Sequence, residues 1–155
     1  MLKGRSAEAS SGGNQFSRSA RSSTRSHPIR IITGDIKRLV GFYERATGVS
    51  AIWSTEDFAE LGTEHATLAI GSTRTVPLFA PGAARPADNN TVIIEFLVDD
   101  VDGVHQNLAG FVEDFVNEPT TMPWGNRSLL FRDPDGNLVN FFTPVTPAAI
   151  EKFAR

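Results

Sequence analysis

The 155-residue sequence predicts an α+β fold made of two successive β-α-β-β-β units. Three observations predict it. Asp133-Pro134-Asp135-Gly136 is a tight-turn signal between the apolar runs Leu129-Leu130-Phe131 and Leu138-Val139, which makes a β-hairpin. Two helical patterns, opening at Asp35 and at Asp99-Asp100, each follow directly on an apolar strand. The order of elements then repeats with a period of about 60 residues. Two such units give eight strands with helices covering one face, and leave the other face concave.

Residues 1–26 are rich in Ser, Gly and Arg and have Phe16 as their one aromatic, a composition expected to stay disordered. A solvated extension is the first expectation for this leader, and an organelle transit peptide the second. A domain is expected over 27–145. In module one (27–80), Ile29 to Thr33 reads as a strand. Asp35 caps a helix carrying Ile36, Leu39, Val40, Phe42 and Tyr43, which Gly48 stops. Ala51 to Trp53, Phe58 to Leu61, His65 to Ile70 and Thr75 to Phe79 read as strands. The loop 80–90 holds Pro81, Gly82 and Pro86. In module two (91–145), Val92 to Val98 is an apolar strand interrupted by Glu95. A helix follows with Val101, Val104 and Leu108 on one side and an end at Gly110. Phe111 to Val116, Ser128 to Phe131 and Leu138 to Phe142 read as strands. Thr146-Pro147 opens a last helix over 146–155, with Pro at its first position.

Composition bounds the function. The sequence has no Cys, and hence no disulfide, thiolate metal site or Cys nucleophile, which fits a cytoplasmic setting. No apolar run reaches the roughly 20 residues that span a bilayer, so no membrane partner is expected. Lys3, Arg5, Arg18, Arg21 and Arg25 against Glu8 leave +4 on residues 1–26, so the net −3 puts −7 on the rest. An acidic body argues against nucleic acid as a partner. No phosphate loop and no nucleophile elbow is present.

Thr33-Gly34-Asp35 with Phe42-Tyr43 and Gly48, then Phe96-Leu97-Val98-Asp99-Asp100-Val101, then Phe131-Arg132-Asp133-Pro134-Asp135-Gly136-Asn137, resemble the vicinal oxygen chelate superfamily. This group includes glyoxalase I, extradiol dioxygenases, fosfomycin-modifying enzymes and bleomycin-binding resistance proteins. The resemblance spans about residues 28–145 and implies the glyoxalase/bleomycin resistance-like fold, with paired βαβββ modules curling around a pocket. It also implies a divalent metal held by His, Gln or Glu from the first and fourth strand of each module. Matching strands puts Pro28 and about Leu78 at those positions in module one, and Ile93 and Asn140 in module two. Pro, Leu and Ile have no donor atom and Asn is a weak neutral one, so neither glyoxalase nor dioxygenase activity carries over, and neither metal nor cofactor is expected. His27 with Glu95 and Asn140 is the one atypical metal set in reach.

The pocket residues expected from the sequence are Glu95, Trp124, Arg127, Asn140 and Phe142. Strand parity puts Glu95 on one face with Ile93 and Leu97, and turns Ile94, Phe96 and Val98 to the helices. A carboxylate there either serves a ligand, as a binding group or a base, or pairs with Arg30, Arg74 or Arg127. Trp124, held between Pro123 and Gly125, can stack on a planar ligand or pack its own hairpin. Arg127 can clamp an anion or pair with Glu118 or Glu95. Asn140 and Phe142 share a face with Leu138, where Asn140 offers a donor and an acceptor. Trp53 is expected half-buried, His65 exposed at the start of its strand after the Gly62-Thr63-Glu64 turn, and His105 on the solvated side of its helix. The reading is a metal-independent binder of a small organic molecule, of aromatic type, in an apolar concave pocket, acting as a homodimer. The alternative is a lyase, isomerase or dioxygenase using Glu95 as base or an atypical metal site.

Overall fold

Capping chemistry fixes where the helices begin. The computed structural model describes residues 28–154. Strand β1 (Ile29–Thr33) leads into α1 (Ile36–Thr47), where the Asp35 side chain accepts a hydrogen bond from the Arg38 N–H at 3.1 Å. Gly48, at φ 72°, ends the helix in the left-handed region and donates to the Glu44 carbonyl. Strands β2 (Ile52–Thr55), β3 (Phe58–Gly62) and β4 (Thr67–Ser72) complete the first unit. The second unit repeats it with β5 (Ile93–Leu97), α2 (Val101–Leu108, capped by Asp100), β6 (Thr120–Thr121), β7 (Asn126–Arg132) and β8 (Leu138–Pro144). Helix α3 (Pro147–Phe153) follows, with Thr146 as its cap and Pro at its first position.

The two sheets have the same topology, β1-β4-β3-β2 and β5-β8-β7-β6. In each, the first strand runs parallel to the fourth, with Arg30 opposite Ala69 and Glu95 opposite Asn140. The remaining pairs are antiparallel. Edge strand β2 carries a register shift between Trp53 and Thr55, so that Ser54 bulges from the ladder. The paired modules of the α+β fold are therefore present, with no closed barrel among the described residues.

A single apolar cluster joins the units. Leu39, Val40 and Tyr43 of α1, Ile70 of β4, Val101 and Leu108 of α2, and Phe131 and Phe141 of β7 and β8 are buried in it. The Phe131 and Phe141 rings meet nearly edge to face at 5.2 Å. A polar link crosses the units among the described residues: the buried Tyr43 hydroxyl donates to Asp133 Oδ2 at 2.7 Å. Asp133 also accepts from the N–H groups of Asp135 and Asn137 and from Asn137 Nδ2, closing the turn between β7 and β8. Gly136 sits in that turn at φ 81°.

Two expected strands take other forms. Thr73–Leu78 is a 3-10 helix capped by Ser72, not a strand over Thr75 to Phe79, because Pro77 has no N–H for a ladder and the Thr75 hydroxyl turns back to the Ser72 carbonyl. Phe111 to Val116 forms no strand but a single bridge, Phe115 to Phe131, with backbone hydrogen bonds to β7 on either side; Phe111, Val112 and Phe115 pack on the core while Val116 is exposed. The strand expected to begin at His65 starts two residues later, at Thr67, and leaves His65 exposed in the preceding turn. Helix α2 closes at Ala109, one residue before Gly110. The leader and His27 lie outside the described residues.

Candidate functional site

In the second sheet, strand parity separates two faces. Ile94, Phe96, Val139 and Phe141 turn to the core, while Ile93, Glu95 and Leu97 on β5 are exposed on the opposite, open face. Asn140 and Phe142 of β8 share that open face, and Leu130 of β7 pairs with Asn140. Asn140 Nδ2 donates to Glu95 Oε1 at 2.9 Å. Its Oδ1 is buried and finds no donor among the described residues. An amide acceptor without a donor costs free energy, and a ligand or water group that reaches it recovers that cost.

Three further positions expected from the sequence separate around this pair. Phe142 is only 6% exposed, because Phe153 of α3 covers it at a ring separation of 5.1 Å. Trp124 is 67% exposed in the turn between β6 and β7. Arg127 points to the helix side of the sheet. Its Nε and second terminal nitrogen donate to the two Asp102 oxygens at 2.6 and 2.9 Å, which holds the Asp102 carboxyl below its usual range. The structure thus brings Glu95, Asn140 and Phe142 onto one face and leaves Arg127 off it. Arg74 is committed to Asp57, so neither arginine is the partner of Glu95. His105 is not on a solvated side: its ring stands edge-on to Phe115 at 5.0 Å, because the chain after α2 folds back over that helix. Trp53 is half-exposed.

The face around Glu95 is an open surface of the single chain. Clefts occur elsewhere, one of about 410 Å³ between α1 and the β7–β8 turn, another of about 340 Å³ beside Pro28 and the β3–β4 turn.

The repeat allows the implied metal positions to be checked. Aligning the caps Asp35 and Asp100 puts Pro28 with Ile93 and Arg30 with Glu95, and strand pairing then puts Ala69, not Leu78, at the place of Asn140. Leu78 lies in the 3-10 helix and is 82% exposed. One carboxylate and one amide do not make a divalent-metal donor set. Among the described residues no three His, Cys, Asp or Glu side chains cluster. The residues present do not fit the metal that the fold implies. No helix among the described residues is long and apolar enough to cross a membrane.

Solved structures share this architecture. A glyoxalase/bleomycin resistance protein/dioxygenase from Nocardioides matches with a TM-score of 0.66 at 20% identity, covering 82% of this chain and 89% of that one. A family enzyme from Burkholderia phytofirmans PsJN matches at 0.66 and 19% identity, covering 76% and 97%. A glyoxalase-related enzyme from Fulvimarina pelagi matches at 0.66 and 15% identity, covering 77% and 87%. At such identities the likeness is one of fold. Among curated proteins no sequence match is found. The family model for the Glyoxalase/Bleomycin resistance protein/Dioxygenase superfamily matches residues 25–141, and the chain belongs to that superfamily.

Proposed function

We propose that this chain is a metal-independent binder of a small organic molecule, taken up on the open face of the second sheet. The observation that carries the reading is the Glu95–Asn140 pair: a carboxylate and a buried, donorless amide oxygen set among Ile93, Leu97 and Leu130. Such a face suits a ligand with an apolar planar body and a cationic or N–H donor edge. Phe142 shares this face but is covered by Phe153, and Trp124 is exposed in the turn between β6 and β7. Because the single chain leaves Ile93 and Leu97 nearly half-exposed, a second copy closing over this face as a homodimer belongs to the same reading.

The test is a titration with proflavine, a planar cation, followed by quenching of the Trp53 and Trp124 emission. Saturable quenching is expected, weakened about tenfold or more in Glu95→Gln through loss of a charge-assisted contact. Absence of any saturable change up to millimolar proflavine overturns the reading. If a reaction is found, Glu95→Gln that binds but does not turn over assigns Glu95 as a base.

A further inference from the structure

Arg30 occupies, in the first sheet, the position that Glu95 holds in the second. Its side chain is exposed on the open face of its sheet. Arg74, Arg85, Arg127 and Arg132 each meet a carboxylate, whereas Arg30 meets none among the described residues. It meets rings instead: its guanidinium carbon lies 4.6 Å from the centre of Phe58 and 5.5 Å from that of Phe79. Glu60 lies on the same row beyond Ala69, and no ion pair joins it to Arg30.

Gly71 pairs with both Ile32 and Phe58, and a Cβ there would come within 3.6 Å of Arg30 Cδ and 3.1 Å of Thr75 Oγ1. The arginine stem therefore lies in van der Waals reach of Gly71, and the close neighbour of that position is the Thr75 hydroxyl. The 3-10 helix after β4, stopped from pairing by Pro77, brings Phe79 to the same guanidinium. Two ring contacts limit the freedom of the guanidinium and lower its hydration, while its N–H edge has no acceptor among the described residues. Phe79 (76% exposed) and Leu78 leave apolar surface beside it.

We propose that Arg30, Phe58 and Phe79 form a second binding site, on the first sheet, for the carboxylate of a small aryl acid, with the arginine edge taking the anion and Phe79 and Leu78 the aryl body. It lies on the first sheet, whereas Glu95 lies on the second. A planar fork against a carboxylate is the pairing that arginine geometry favours, and prior ordering by the rings reduces the entropy lost on binding.

The probe is 1-naphthoate, titrated into the full chain labelled with ¹⁵N, with uncharged 1-naphthylmethanol as comparison. Naphthoate is expected to shift the amide signals of Arg30, Gly71 and Phe79 and to bind about tenfold or more tighter than the alcohol. Arg30→Gln is expected to remove that difference and Arg30→Lys to restore part of it, since lysine keeps the charge without the fork. Glu95→Gln is expected to leave naphthoate binding unchanged, which separates this site from the proflavine experiment. Equal affinity for acid and alcohol, shifts confined to the second sheet, or undiminished binding in a folded Arg30→Gln protein each overturns the proposal.

Discussion

Asp133→Ala is expected to lower the unfolding free energy by about 3 kcal/mol or more, read as a fall in the urea midpoint at unchanged slope. Four donors converge on this carboxylate: the Tyr43 hydroxyl at 2.7 Å, Asn137 Nδ2 at 2.8 Å, and the N–H groups of Asp135 and Asn137 at 2.9 Å. Alanine leaves them unpaired where Tyr43 and Asn137 are almost fully buried. Each buried donor stripped of its partner costs about 1–3 kcal/mol, and the two turn amides recover part of that through water. Tyr43→Phe removes one donor and is expected to cost about 1–2 kcal/mol, since Asn137 still satisfies the same oxygen. A loss below 1 kcal/mol in Asp133→Ala would show that the turn holds without its carboxylate. The link has a pH signature. Burial, first, and the neighbouring Asp133 charge, second, raise the Tyr43 pKa well above its ordinary 10.0. The unfolded chain therefore releases the phenol proton first, and the contribution of Tyr43 is full below pH 10 and declines as pH rises further. Tyr43 is the chain's one tyrosine, so phenolate absorbance follows this group alone.

Gly125→Ala is expected to release α3 from the second sheet. Gly125 sits at φ 93°, where an L side chain is strained, and a Cβ there would fall on the Thr146 hydroxyl and within 3.1 Å of Ala149 Cβ. Thr146 caps α3, and the Val145 and Thr146 N–H groups both donate to the Gly125 carbonyl. The substitution attacks the helix at its cap and its buried Ala149 together, with an expected cost of about 2–3 kcal/mol from strain and displaced contacts. Gly136→Ala is the control: its φ is 81°, but nothing lies within 4 Å of the added carbon, so only the backbone cost of about 1 kcal/mol is expected. Hydrogen exchange distinguishes the two. Faster exchange confined to 146–153 in Gly125→Ala, with Phe142 uncovered, is the expected result; unchanged protection there would mean that α3 is held by Phe153 on Phe142 alone.

What was legible in the sequence was local or periodic. Asp35, Asp100 and Thr146 cap their helices because a short acceptor beside free N–H groups needs no tertiary context. Glu95 lies on the open face because β-strand alternation leaves no other choice between Ile94 and Phe96. The 3-10 helix was obscured by the apolar Val76, Leu78 and Phe79, although Pro77 argued against a central strand. Arg127 alternates in phase with Leu129 and Phe131, both core residues, so the parity that places Glu95 on the open face also turns Arg127 to the helix side. From sequence Arg30 reads as an ion-pair partner, since the rings of Phe58 and Phe79 reach it only once the chain is folded. Whether the open face is covered depends on contacts beyond one chain, which no periodicity encodes.

The bulge at Ser54 bears on solubility. Strand β2 ends its sheet with Ile52 and Trp53 in an exposed β-prone segment, a template onto which another chain's strand can be zipped. The extra residue interrupts the row of free N–H and C=O groups after two pairs, so an incoming strand cannot match it in continuous register. Shortening β2 by that residue would straighten the ladder and turn a guarded margin into an adhesive one, a hazard created without touching core or ligand-binding face.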